Sequence, residues 1–153
     1  MDNQTDIIEL EVTGLSYTKK NNFWNKLFGS ESPQYYLILS KKDELNKQVP
    51  LLIGEFEGQS IAIVLEKMTP LRPLTHDIFK TAVDKFDFKL DYVLITKVDN
   101  DGIFHSTIFY SGNNKKIELD SRAADAIALA LRHASPIYIN KTTFNLCSVV
   151  TPE

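Results

Sequence analysis

Residues Ile53 to Pro70 read IGEFEGQSIAIVLEKMTP, and residues Leu119 to Pro136, 66 positions further on, read LDSRAADAIALALRHASP. Each stretch is a strand end, a polar turn, an apolar helix and a proline. In this register Ile61 falls on Ile127, Ala62 on Ala128, Leu65 on Leu131 and Pro70 on Pro136. Two related strand-turn-helix units imply a fold in which strand blocks and helices alternate around one core. The polar turns are where the two copies differ: Glu55 and Glu57 in the first stand against Asp120, Arg122 and Asp125 in the second.

Working outward, Ile8, Leu10, Val12 and Leu15 alternate with polar residues, the period of a half-buried strand, and Tyr35 to Leu39 reads as its partner. Val49 to Ile53 is a short strand ending at Gly54. Ile61, Val64, Leu65 and Met68 then fall at i, i+3, i+4 and i+7, a helical face that Pro70 and Pro73 terminate. Thr75 is a suitable N-cap for a second helix with Asp77 in its first turn and Ile78, Phe79, Ala82, Val83 and Phe86 on its buried side. Asp91 to Val98 and Ile103 to Tyr110 flank Asp99-Asn100-Asp101-Gly102, a hairpin signal. Ser111-Gly112-Asn113-Asn114 turns into a third strand, Lys116 to Leu119. The last helix, Arg122 to His133, is apolar nearly all round and is expected to pack on more than one side. Ile137 to Ile139 closes the sheet. The expected fold is α+β: a mixed, largely antiparallel sheet with about three helices packed on it, forming a single domain over 1–153.

Composition narrows the function. The chain has 153 residues, 43% of them hydrophobic, and a formal charge of −3, so no broad basic surface is available to hold polynucleotide by counterion release. Nucleic-acid contact, if made, is local. Cys147 is the single cysteine and no Cys/His spacing suggests zinc. The N-terminus lacks the basic and apolar regions of a signal peptide and no apolar run approaches membrane-spanning length. A cytoplasmic protein with no membrane association is expected. Walker, GxGxxG, HExxH and GxSxG signatures are absent.

Three groups of residues carry possible chemistry. On the last helix Arg122, Asp125, Leu129 and Arg132 share one stripe. Arg122 near a helix N-terminus suits a phosphate, with Asp125 orienting it and Asp120 binding a metal or water; the same residues also make an ordinary i,i+3 ion pair behind a capping residue. His76 stands next to Asp77 and shortly after Arg72, and histidine is the side-chain type suited to general acid or base work near neutral pH. Since neighbouring helical residues point about 100° apart, its partner is expected from the Asp120 to Asp125 turn rather than from Asp77. His105 is read as a packed or cross-strand residue, and His133 has no assigned role. Lys19 to Pro33 is an irregular insert in which Lys19, Lys20 and Trp24 could hold a single strand, or in which the aromatics pack on the core or a neighbouring subunit.

Three motifs in this order, PLLIGEFEGQSIA, RPLTHDIF and LDSRAADAIALALR followed by SPIYI, resemble the bacterial and plant bifunctional nuclease (DNase and RNase) family, from about Ile8 to Phe144. Gly54, Glu57, Arg72, Pro73, Thr75, His76, Asp77, Asp120, Arg122 and Asp125 correspond to family positions. The chain departs from the pattern at Ala123-Ala124, where the family has Pro-Ser, at Gly58, where it has Ala, and in the 19–33 insert. The resemblance implies a phosphodiesterase acting on RNA or DNA. The catalytic candidates are His76, Asp77, Asp120, Arg122 and Asp125; Arg72, Glu57, Lys19, Lys20 and Trp24 would contact substrate. Asp120 and Asp125 would bind a divalent cation such as Mg or Mn, or orient reacting groups. The rival reading is a non-catalytic interaction domain, expected as a homo-oligomer, whose polar motifs lock helix ends and a subunit interface.

Overall fold

The computed structural model describes residues 6–18 and 34–152. An eight-stranded sheet has the order β6-β5-β4-β7-β1-β2-β3-β8. Its strands are β1 (Ile7–Thr18), β2 (Gln34–Lys41), β3 (Glu44–Ile53), β4 (Lys89–Val98), β5 (Phe104–Gly112), β6 (Lys115–Arg122), β7 (Ile137–Asn140) and β8 (Val149–Val150). Every neighbouring pair is antiparallel except β4 and β7. Among the described residues four helices accompany it: α1 (Glu55–Leu65), α2 (Thr75–Lys85), α3 (Ala123–His133) and α4 (Lys141–Cys147). The α+β class holds; α4 and β8 are additions to the sequence reading.

Two three-stranded meanders, β1-β2-β3 and β4-β5-β6, each run straight into a helix, α1 and α3. Both helices have 11 residues. They begin 68 residues apart (123 − 55), two more than the register that aligns Ile61 with Ile127, although both isoleucines are fully buried. The turns close as their residues dictate. Asp99 accepts the amide hydrogens of Asp101 and Ile103, and Gly102 takes the positive φ of 78°. Asn113 and Asn114 both lie at positive φ, as a two-residue hairpin turn requires.

The helices differ from expectation at their ends. Helix α1 starts directly after Gly54, well ahead of its first fully apolar turn, so Glu55 and Glu57 lie in its first turn, where carboxylates meet the positive end of the dipole. It stops before Met68, which is 63% exposed. Helix α2 is capped at Leu74 rather than Thr75: the Leu74 amide donates to Asp77 Oδ2 at 2.8 Å, one half of a capping box. Strand β6 runs on to Arg122, which caps α3, so Asp120 and Ser121 are strand residues.

Helix α3 is central. Ala123 and Ala126 to Ala130 are buried, and the small side chains of the four alanines among them let α1, α2 and the sheet approach from several sides. Helix α2 packs chiefly on α3 rather than on the sheet. Its expected buried side is consequently open: Ile78, Phe79 and Phe86 are exposed, and Val83 alone of the larger ones joins the core margin.

Gly58 explains one departure noted above. A Cβ there would lie 2.6 Å from two ring carbons of Tyr35, so α1 sits against β2 at a distance only glycine permits. Gly58→Ala is expected to destabilise by about 1–3 kcal/mol through overpacking, despite a helix-propensity gain of about 1 kcal/mol. Urea denaturation of Gly58→Ala alone and with Tyr35→Val checks this. The double variant should recover most of the loss.

Candidate active site

Helices α1, α2 and α3 meet around His76. This residue occupies the second position of α2, and its ring reaches across to both neighbours: Nδ1 lies 2.8 Å from Ser60 Oγ of α1 and Nε2 lies 3.1 Å from Asp125 Oδ1 of α3. A carboxylate only accepts, so the neutral ring carries its hydrogen on Nε2, and Nδ1 accepts the Ser60 hydroxyl hydrogen. The His76 side chain is 14% exposed. The expectation that its partner comes from the second polar turn is met by Asp125.

Asp125 also binds Arg122, whose Nε donates to Oδ2 at 2.8 Å. Arg122 Nη2 donates to Glu57 Oε1 at 2.6 Å, joining the two strand-turn-helix units through their polar ends. These hydrogen bonds, to Glu57 first and then Asp125, raise the Arg122 pKa. Among the described residues no partner engages Nη1, and the side chain is 64% exposed. Gly54 leaves room for this arrangement, because a Cβ there would run into Glu57 Oε2. Ser60, His76, Asp125, Arg122 and Glu57 together line a cleft of about 400 Å³ whose wall is completed by Phe56, Ile63 and Leu74.

Asp77 points away from His76, as helical geometry required, and serves a different purpose. Its Oδ1 accepts from Arg132 Nε at 2.7 Å, and Arg132 further donates to the carbonyls of Ala128 and Ser60. The Arg132 side chain is only 4% exposed. Burial pushes the Asp77 pKa up, but the hydrogen bonds from Arg132 and the Leu74 amide outweigh it and the net shift is downward. This clamp ties α2 to α3 and to the backbone of α1, fixing the three helices that carry the catalytic candidates.

Other candidates fall elsewhere. Asp120 pairs with Thr107 in the β5–β6 ladder, and strand alternation sets it on the sheet face opposite buried Ser106 and Ile108. It makes no hydrogen bond or ion pair with Asp125 among the described residues. Arg72 is exposed in the bend before α2. Lys19, Lys20 and Trp24 lie outside the described residues. His105 binds Asp99 Oδ2 at 3.0 Å and so braces the β4–β5 hairpin; that hydrogen bond is the chief cause of a lowered Asp99 pKa. Sequence reasoning missed Ser60, which carried no signal beyond being a hydroxyl in an apolar run. It placed Arg132 on the right stripe without a role.

The donor set does not fit a divalent metal held at Asp120 and Asp125. Both Asp125 oxygens are engaged, and no group of three or more His, Cys, Asp or Glu residues is arranged to hold an ion among the described residues.

His133 is buried with Nε2 lacking a hydrogen-bond partner among the described residues. Burial, then nearby Lys80, lowers its pKa, opposed by Asp84 at 4.0 Å. The unfolded chain therefore takes up a proton first: stability is full above about pH 6.5 and falls below it. His133→Leu should lose less Tm than the parent between pH 7 and pH 5, as read by thermal unfolding at both values.

The model of the bifunctional nuclease domain matches residues 37–151. An uncharacterized protein of Mycobacterium tuberculosis (strain ATCC 25618 / H37Rv) is 27% identical over 124 residues, covering 80% of this chain and 73% of its own length. Bifunctional nuclease 1 of Arabidopsis thaliana is 26% identical over 113 residues, covering 72% of this chain and 34% of its own length. Bifunctional nuclease 1 of Oryza sativa subsp. japonica is 24% identical over 113 residues, with the same 72% and 34% coverage. This chain thus spans about a third of the plant proteins that it matches. The domain match takes in all three helices of the cleft and every residue named in it, and the chain belongs to the bifunctional nuclease domain family.

Proposed function

We propose that the protein is a nuclease-like phosphodiesterase acting on RNA or DNA. The observation that carries this reading is the His76 ring, fixed between Ser60 and Asp125 in a cleft that Arg122 overlooks. His76 is the acid–base group, and Asp125 holds its tautomer. Arg122 contacts the phosphate through Nη1, with Arg72 a second contact further along the strand. Asp77 positions His76 by anchoring α2. The acidic charge balance favours local contact with a single strand over tight duplex binding. Family membership and the plant relatives named as bifunctional nucleases support the same reaction class.

The test is cleavage of labelled single- and double-stranded RNA and DNA, with and without Mg or Mn, by the parent, His76→Ala and Arg122→Ala. A loss of about 10² or more in each variant is expected. Equal cleavage by all three proteins would remove the site from consideration.

A second reading rests on the exposed apolar side chains of α1 and α2, Phe56, Ile78, Phe79 and Phe86. It makes this face a contact between copies of the chain. Sedimentation equilibrium decides it: a monomer at all concentrations excludes the oligomer.

A further inference from the structure

Ser60 is the residue of the cleft that neither the sequence motifs nor the family resemblance singles out, and its surroundings are unusual for a mid-helix serine. Such a hydroxyl ordinarily exposes itself or bonds back to the carbonyl four residues earlier. Here it is 5% exposed, lies on the cleft wall and meets His76 Nδ1 at 2.8 Å, while Asp125 holds the opposite ring nitrogen at 3.1 Å. Both ring nitrogens are thus committed. With Nε2 facing Asp125, the proton that Nδ1 is placed to take is the one on Ser60 Oγ.

We infer that Ser60 is a nucleophile activated by His76 and Asp125, so that cleavage runs through a covalent Ser60–phosphate ester. A hydroxyl, a ring and a carboxylate in hydrogen-bonded sequence are the parts of a serine nucleophile, recognised by geometry and role rather than by order in the chain. Ser60 Oγ bonds to the phosphorus of a diester and passes its proton to His76 Nδ1. The bond from phosphorus to the leaving oxygen breaks, and that oxygen receives the proton from His76. Water then attacks the same phosphorus and gives a proton to His76; the bond to Ser60 breaks, and Ser60 Oγ recovers the proton. One diester and one water yield a phosphate monoester and an alcohol. Arg122 Nη1, unengaged among the described residues, faces the charge on phosphorus. The choice of diester rests on the phosphodiesterase reading; the nucleophile does not.

The experiment uses diisopropyl fluorophosphate, which phosphorylates an activated serine with loss of fluoride, followed by intact mass and peptide mapping of the full chain. The parent should gain one adduct on Ser60, and labelling should slow at least about tenfold in His76→Gln and Asp125→Asn. In parallel, Ser60→Ala should cleave labelled oligonucleotide roughly a thousandfold more slowly than the parent. No adduct, or an adduct elsewhere, overturns the inference and needs no variant to fold. A folded Ser60→Ala that cleaves at the parent rate overturns it too, while leaving the phosphodiesterase reading intact. Labelling of Ser60 in a parent that cleaves no diester upholds the nucleophile and rejects the substrate class.

Discussion

Asp125→Ala is expected to lower diester cleavage by about 10³–10⁴-fold while leaving the fold in place. The magnitude follows from what Asp125 does twice. One oxygen fixes the His76 tautomer, and the other orients the Arg122 guanidinium. Without it the ring can rotate or carry its hydrogen on the wrong nitrogen, and Arg122 keeps only its bond to Glu57. The carboxylate contributes little to packing, its side chain being 30% exposed. Asp125→Asn separates the roles, since an amide retains the shape but offers one acceptor and no charge. Steady-state kinetics with far-UV circular dichroism as a folding control is the measurement, and a variant within threefold of the parent would show that Asp125 is only an ion-pair partner.

Asp77→Ala carries the largest expected loss of stability, about 2–4 kcal/mol at pH 7. The reason is the partner left behind. The Arg132 guanidinium is almost wholly buried and would retain only the carbonyls of Ala128 and Ser60. The Leu74 amide would lose its acceptor as well. Linkage gives the pH signature: the folded Asp77 pKa lies below its unfolded value, so its stabilisation is complete above about pH 4 and is lost as pH falls through the folded value. Glu44, Asp84 and Asp99 are shifted the same way, so the parent's acid sensitivity is shared. Urea midpoints at pH 7 and pH 3 should converge between parent and variant in acid. A constant difference at both values would contradict the charge argument.

The meanders were legible because alternation and turn chemistry are local: Asp99 to Gly102 and Asn113-Asn114 make the hairpins that their residues dictate. Helix ends were less so. The apolar period of α1 begins at Ile61, but its backbone begins at Glu55, because helix propagation needs no apolar contact once Gly54 has turned the chain. The exposed side of α2 could not be read from a pattern that would equally serve a buried helix; which neighbour it meets is decided by tertiary packing on α3. At the site, His76 and Asp125 were visible as residue types in suitable turns. Asp120 was read as part of a turn, whereas strand β6 runs through it to Arg122. Ser60 was invisible because its role comes only from a contact 16 residues away in sequence.

In the proposed reaction His76 and Asp125 act as one unit. A double-mutant cycle on the rate of single-strand cleavage tests it, with His76→Ala, Asp125→Ala and the combined variant all verified as folded. The predicted result is that the double variant loses no more activity than the more damaging single change. Losses that multiply, or either single variant retaining the parent rate, would contradict it.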